Sequence, residues 1–508
     1  MNRTARCATA SAAASATATA PINMITTLVA ALLVASCATP PAPPALAAVQ
    51  MAPAWQAPLP HGGTQADLAR WWQQFNDPVL TDLQQAAQQA SPSLAAATAR
   101  IERSRAALRS AAAAGLPQVD AIGRASSGRA VAGQPVATTV GAGLQAAWEL
   151  DLFGAVAAGR RAAQARLEGA QAGWHEARVA VAAEVASSYT ALRACEALRV
   201  QSGLDVASRS ETARLTEQSA QAGFTAPADA ALVRAGVAQV RSQLLVTQAQ
   251  CDTLIKGLVE VTALPEPELR QQLAPRNAQL PQAAMLSLTV LPAAVLAQRP
   301  DLAEAARAVL AAAGDQAQSQ ARERPQVSLS GSLAAGRVRS EGITRDAATW
   351  SFGPLQVSFP LFDGGARAAA TQAARADYDN AVVQYQALAR RAVREVEVAL
   401  VTLDSTAQRE VDALSAARDF ETSLVATQAR QRGGLASLLD LEAARRNAVQ
   451  AQSALIELQR ERTAGWISLY RAMGGGWDAG NLDTANAAAQ ATATAGGAAA
   501  AGSTTAPP

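Results

Sequence analysis

The chain has little material for metal or acid–base chemistry. It contains two histidines, His61 and His175, four cysteines, Cys7, Cys37, Cys195 and Cys251, and one lysine, Lys256. A His/Cys metal centre or an imidazole acid–base pair needs more than that. No glycine-rich phosphate loop ending in Lys-Ser or Lys-Thr occurs, so nucleotide hydrolysis has no seat. The sequence therefore reads as no enzyme, with no metal and no cofactor. Its informative residues are two glycines, each with an apolar residue directly after it. Gly223-Phe224-Thr225-Ala226-Pro227 and Gly434-Leu435-Ala436-Ser437 read as tight helix turns, in which glycine takes the left-handed backbone and the next, apolar residue projects outward. Asp229 and Asp440 each stand six residues after their glycine, where a carboxylate offsets the positive end of a helix. Cys195 and Cys251 flank the first turn at spacings that place them within a turn or two of each other on antiparallel helices. A disulfide in an oxidising compartment and two buried thiols both satisfy that spacing.

The N-terminus indicates the compartment. Arg3 and Arg6 precede an apolar run from Met24 to Ala35, about a dozen residues where a membrane-spanning helix needs ~20. The run ends in Leu33-Val34-Ala35-Ser36-Cys37, which resembles a bacterial lipobox and makes Cys37 the diacylated first residue of a mature lipoprotein. Residues 1–36 are then the signal peptide and 37–66 a Pro/Ala-rich linker, while 483–508 form a disordered Ala/Thr/Gly tail.

These residues must be positioned by very long helices. The chain has 508 residues, 43 basic against 41 acidic, with half of its residues apolar and 4% aromatic. That near balance of charge excludes the basic footprint of a nucleic-acid binder, and so much alanine belongs in helices. A repeat organises it. Pro92, Leu94, Pro117, Gln118, Val119, Gly123 and Gly128 recur as Pro300, Leu302, Pro325, Gln326, Val327, Gly331 and Gly336. After a three-residue insertion, Leu144, Leu150, Glu184, Gly223, Asp229 and Gln239 recur as Leu355, Leu361, Glu395, Gly434, Asp440 and Gln450. None of these matches is an alanine, so residues 67–275 and 276–482 read as two copies of one unit: helix, strand, strand, very long helix, helix. From Ala366 to Arg432 there is no Gly or Pro, and Tyr378, Val382, Tyr385, Ala389, Ala392, Val396, Ala399 and Leu403 recur at alternating steps of four and three. That is a helix-packing seam with small residues.

Short strands lie between the helices, near 118–129 and 140–149 in the first copy and 326–336 and 349–361 in the second. Val327, Leu329 and Leu333 alternate with serines, and Leu355, Val357, Phe359 and Leu361 with Gln356 and Ser358, the period of a membrane-spanning β-strand. Trp148, Phe153, Trp350, Phe352, Phe359 and Phe362 gather at the strand borders as membrane-border aromatics. Four strands cannot close a barrel, and an open edge in lipid leaves backbone groups unsatisfied, so the pattern requires oligomers and favours three copies.

Several stretches then resemble the outer-membrane factor (TolC-like) family, in its lipoprotein efflux-channel branch. They are Trp72-Gln73-Gln74-Phe75-Asn76-Asp77-Pro78, Trp148-Glu149-Leu150-Asp151-Leu152-Phe153-Gly154, Gln298-Arg299-Pro300-Asp301-Leu302, Phe352-Gly353-Pro354, Pro360-Leu361-Phe362-Asp363-Gly364-Gly365, Arg394-Glu395-Val396-Glu397 and Leu469-Tyr470-Arg471-Ala472-Met473-Gly474. The resemblance implies a mainly α protein with a small β part. It is a homotrimer whose twelve-stranded outer-membrane β-barrel continues into a long periplasmic α-helical barrel in a Gram-negative bacterium. It implies a passive exit duct for drugs, toxic compounds or metal ions, served by a periplasmic adaptor and an inner-membrane efflux pump. Gly223, Phe224, Gly434, Leu435 and Ser437 become adaptor-docking tips. Asp229 and Asp440, with Glu442 beside the latter, become an acidic periplasmic gate. A type I protein-secretion channel of the same architecture is the alternative, and a trimeric surface coiled-coil adhesin a further one.

Overall fold

The computed structural model describes residues 55–57, 68–129, 135–281 and 297–477. The expected signal peptide, Cys37 and the tail from residue 483 lie outside the described residues, as does most of the linker. After a 3₁₀ segment, Leu68–Phe75, come α1 (Pro78–Ala90), α2 (Pro92–Ala113), β1 (Gln118–Gly128), β2 (Ala137–Leu150), α3 (Ala155–Gln221), α4 (Pro227–Thr262) and the short α5 (Glu266–Leu273). The second copy gives α6 (Pro300–Ala321), β3 (Gln326–Ser340), β4 (Ile343–Ser358), α7 (Ala366–Arg432) and α8 (Leu438–Ala472). The chain divides into a sheet unit, Gly115–Ala157 with Gln320–Gly364, and a helical unit holding the other described residues.

The sheet unit is one antiparallel sheet of order β1-β2-β3-β4. Its register lines up Leu144, Leu333 and Trp350 on one face, and Gln145, Ser332 and Ser351 on the other. That two-faced alternation is the one read from the sequence. Gly141 lies opposite Gly336, and a Cβ on Gly141 would stand 3.0 Å from the Ala335 carbonyl oxygen and 3.1 Å from the Gly336 Cα. A side chain at Gly141 would press on the backbone of β3, so glycine eases this close approach of β2 and β3. Among the described residues β1 pairs only with β2, and β4 only with β3.

The second hairpin departs from the sequence reading. β3 runs on to Ser340 and β4 begins at Ile343, so β4 is displaced toward the turn relative to the expected 349–361. The added length lacks apolar alternation; Arg337 instead pairs across the strands with Asp346, Nε to Oδ1 at 2.7 Å. Glu341 and Gly342, at φ +51° and +80°, supply the two-residue turn that twisted strands favour. Pro360 has no amide for the ladder, and Phe359 and Leu361 lie beyond the end of β4.

In the helical unit, α3 and α7 each run for 67 residues, about 100 Å at ~1.5 Å per residue. The small-residue seam is real: Ala389, Ala392, Val396, Ala399 and Leu403 are buried along α7. Asp77 caps α1, accepting from the amides of Val79 and Leu80 at 3.1 and 3.3 Å, and its other oxygen accepts from the Tyr189 hydroxyl at 2.7 Å. One N-terminal cap thereby fixes α1 against α3. Trp71 stacks on Tyr470 with ring centroids 4.9 Å apart, and Leu192, Leu258, Leu400 and Leu469 are fully buried in the same core.

Cys195 of α3 is joined to Cys251 of α4 in a disulfide, with Cα atoms 5.6 Å apart and 56 positions between them in sequence. In the repeat, Thr406 occupies the position of Cys195, and its hydroxyl donates to the Thr402 carbonyl at 2.8 Å. Only the first hairpin carries the covalent tie at this level. Closing a loop of that length removes about 4 kcal/mol of unfolded-state entropy. The Cys195→Ser/Cys251→Ser variant should therefore unfold at lower temperature and lower denaturant. An unchanged melting curve would rule out a stabilising role.

Candidate functional site: the helix tips and the ion cluster beside them

Both hairpin tips are built the same way. Gly223 and Gly434 take φ of +82° and +73°. The next amides, of Phe224 and Leu435, donate back to the Ser219 and Arg430 carbonyls at 2.9 and 2.8 Å. This is the Schellman closure that a glycine at the helix end allows. It leaves the two apolar side chains pointing into solvent: Phe224 is 87% exposed and Leu435 80%. Pro227 opens α4, where its missing amide costs nothing, and Asp229 lies exposed in the same first turn.

Ser437 and Asp440 form a capping box at the start of α8. The Asp440 amide donates to the Ser437 hydroxyl at 3.1 Å, and the Ser437 amide donates to the Asp440 carboxylate at 2.9 Å. Hydrogen bonds from Ser437 hold the Asp440 carboxyl below the usual carboxylate range. This aspartate caps its own helix and stays ionised in solvent. Ser437, expected as a docking residue, is tied into the same box.

Glu442, expected as a gate acid, is ion-paired in this structure. Its carboxylate accepts from Arg209 of α3 at 2.5 Å and pairs with Arg445 of α8. Arg209 also holds Asp205 at 3.0 Å, and Arg445 reaches the Thr212 hydroxyl at 3.1 Å. Two arginines and two carboxylates thus neutralise each other and clip the first hairpin to the second. Burial pulls the Arg445 guanidinium below its ordinary range. The local spacings Asp205/Arg209 and Glu442/Arg445 are helix-pair signals that the sequence carries. Their meeting across more than two hundred positions is not written locally.

A second cluster gathers motif residues whose purpose the sequence left open. Arg299, just before α6, binds Asp301 at 2.7 Å, Glu395 of α7 at 2.9 Å and the Ala472 carbonyl of α8 at 2.9 Å. Glu176 of α3 lies close by, 3.9 Å from Arg471. Burial, followed by the negative field of Asp301, raises its carboxyl to about 7. Glu397 accepts the amides of Gln56 and Ala57 at 2.8 and 2.9 Å, fastening the N-terminal stretch to α7.

The expected border aromatics divide into two groups. Trp350, Phe352 and Phe362 are strongly exposed and Phe359 is 55% exposed. Trp148 and Phe153 are half-buried, with the Trp148 indole donating to the Gly115 carbonyl at 3.0 Å. Because β4 starts early, Trp350 and Phe352 stand inside the strand rather than at its end.

A sheet with one apolar face and, among the described residues, no partner strand at either edge, together with duplicated helical hairpins, defines the subunit of an outer-membrane channel. The family model for outer membrane efflux proteins matches residues 83–263 and 291–475, and the chain belongs to that family. It is 27% identical over 469 residues to the pyoverdine export outer membrane protein OpmQ of Pseudomonas aeruginosa, covering 88% of this chain and 96% of that protein. It is 29% identical to the outer membrane protein OprJ of the same species over 66% of this chain and 69% of that protein. A solved structure of the outer-membrane channel OprN superposes with a TM-score of 0.76 at 27% identity, covering 86% of this chain and 99% of the other. The surface-adhesin alternative is set aside by this membership.

Both clusters can be probed by substitution. Glu442→Gln leaves two arginines facing one carboxylate and should cost about 3 kcal/mol, seen as faster amide exchange in α3 and α8 near the tips. The folded Glu176 carboxyl lies above its unfolded value of 4.5, so the folded state holds the extra proton and stability falls as pH rises from about 4.5 to 7. Glu176→Gln should match the parent at about pH 4, below the unfolded carboxyl's value, and be more stable above pH 7. A pH-independent difference between the two melting curves would refute this.

Proposed function

We propose that the protein is the outer-membrane exit duct of a tripartite efflux system, conducting small molecules passively from a periplasmic adaptor and inner-membrane pump to the exterior. The observation that carries this reading is the pair of sheet edges that have no partner strand among the described residues, in a chain of this family. Four strands with an apolar face cannot rest open in hydrocarbon. Three copies bring twelve strands and close them, with room for a pore. The names of the relatives, export and efflux proteins of the outer membrane, support the same assignment. Diacylation of Cys37 would add a lipid anchor to each subunit.

In this reading Phe224 and Leu435, presented on glycine turns, are the apolar contacts that the adaptor covers. Asp229 and Asp440 lie near those tips, and three copies of each supply the charge of the periplasmic mouth. The gate then belongs to these two aspartates, while Glu442 serves the clip between hairpins.

Phe224→Asp/Leu435→Asp should abolish export in cells while leaving trimer yield and planar-bilayer conductance unchanged. Normal export by this variant would exclude the tips as docking sites. Asp440→Asn should weaken the cation sensitivity of conductance, and identical traces with and without divalent cations in both proteins would exclude the ring.

A further inference from the structure

The lipid-facing side of the sheet changes chemistry abruptly near one end. Following the register across the strands, its rows are Leu150/Val327/Val357, Trp148/Leu329/Leu355, Ala146/Gly331/Phe352, Leu144/Leu333/Trp350 and Ala142/Ala335/Ala348. They carry no charge over roughly 27 Å of strand, or about 20 Å of height at a tilt of ~40°. The next two rows on the same face are Val140/Arg337/Asp346 and Thr138/Arg339/Thr344. These lie at the hairpin end of the sheet; the strand ends that lead on to helices all lie at the other end.

We infer that Arg337 and Arg339, directly above the apolar band, bind the phosphate of a glycolipid in the outer leaflet. This rests on the outer-membrane duct reading, which puts the hairpin end outward, but assigns a ligand that the reading does not require. The outer leaflet of a Gram-negative outer membrane is built of phosphate-bearing glycolipid, so its anionic layer begins where the acyl chains stop. The two arginines begin at the corresponding row. Asp346 engages Nε and Nη2 of Arg337 at 2.7 and 3.1 Å, which orients the guanidinium plane while both side chains stay about two-thirds exposed. A guanidinium has five donors in a rigid fork, so two bonds to Asp346 leave donors for a phosphate. Arg339 has no ion-pair partner among the described residues and is exposed. Arg345 lies at the same height but pairs with Val338, on the opposite face of the sheet. Basic side chains at a headgroup layer contribute to lipid binding one by one.

The test uses the full-length protein in detergent, with native mass spectrometry against bisphosphorylated lipid A. Arg337→Gln/Arg339→Gln should bind it roughly 10- to 30-fold more weakly, whereas Arg345→Gln should bind like the parent. Dephosphorylated lipid A and phosphatidylglycerol should bind the parent no better than the double variant binds lipid A. Equal binding by the parent and the double variant, or an equal loss in Arg345→Gln, overturns the site. Inorganic phosphate that competes at the lipid's own concentration overturns it as well, leaving a site for free anions. Conductance of the same preparations reports on the duct separately. A double variant that conducts and still binds lipid A fully sinks the glycolipid site alone, whereas a parent that never conducts sinks the duct reading.

Discussion

The rest of the structure depends on the outer edges of β1 and β4, which carry no partner strand among the described residues. In water such edges are solvated; in hydrocarbon each open group costs several kcal/mol. A four-stranded sheet with Leu144, Leu333 and Trp350 on one face and Gln145, Ser332 and Ser351 on the other is therefore not a finished object. The polar face needs a wet interior, the apolar face needs lipid, and the edges need other strands. In the proposed duct, association of identical subunits would meet these demands at once and line a pore with the polar face.

The helical unit solves a different problem, holding two long hairpins in register with one leucine- and aromatic-rich core and, along the helices beyond it, seams of small residues. Small residues let α7 pack closely along its seam, but each contributes little buried area. Specific ties make up the difference: the disulfide in the first hairpin, the cluster of Arg209, Asp205, Glu442 and Arg445 between hairpins, and the clamp of Arg299 on Asp301 and Glu395. Two of these ties are ionic and partly buried. Their contribution is greater to fixing one arrangement than to net stability, because desolvation offsets much of the attraction. The two repeats are thereby held by different chemistry: a covalent bond in the first, and at the matching level of the second a threonine that bonds only to its own helix.

Much of the architecture is legible in the residues. The absence of Gly and Pro from Ala366 to Arg432 announces α7, and Gly223 and Gly434 announce both tips, because helix breakers and left-handed turns are local properties. Strand bounds in the second hairpin are less legible. Arg337 and Asp346 interrupt the apolar alternation, and only their pairing across the turn shows that the strands continue. The surroundings of Glu442 are illegible for a related reason: its partner Arg209 arrives from the other repeat. Trp350 and Phe352 are recognisable as membrane-facing, though their depth within β4 depends on the true start of that strand.

The sequence by itself determined the duplicated plan, the long helices, the glycine turns with their exposed apolar residues and the need for more than one chain. These derive from periodicity, backbone permissiveness and the impossibility of closing four strands. Only the tertiary structure decided which charges are neutralised and which remain available. Asp440 caps α8 while still facing solvent, Glu442 is neutralised by two arginines, and Arg339 stands exposed at the top of an apolar band. The physical reason is that a charge acts through its partners and its solvent. Both are set by residues hundreds of positions away, which local sequence pattern does not contain.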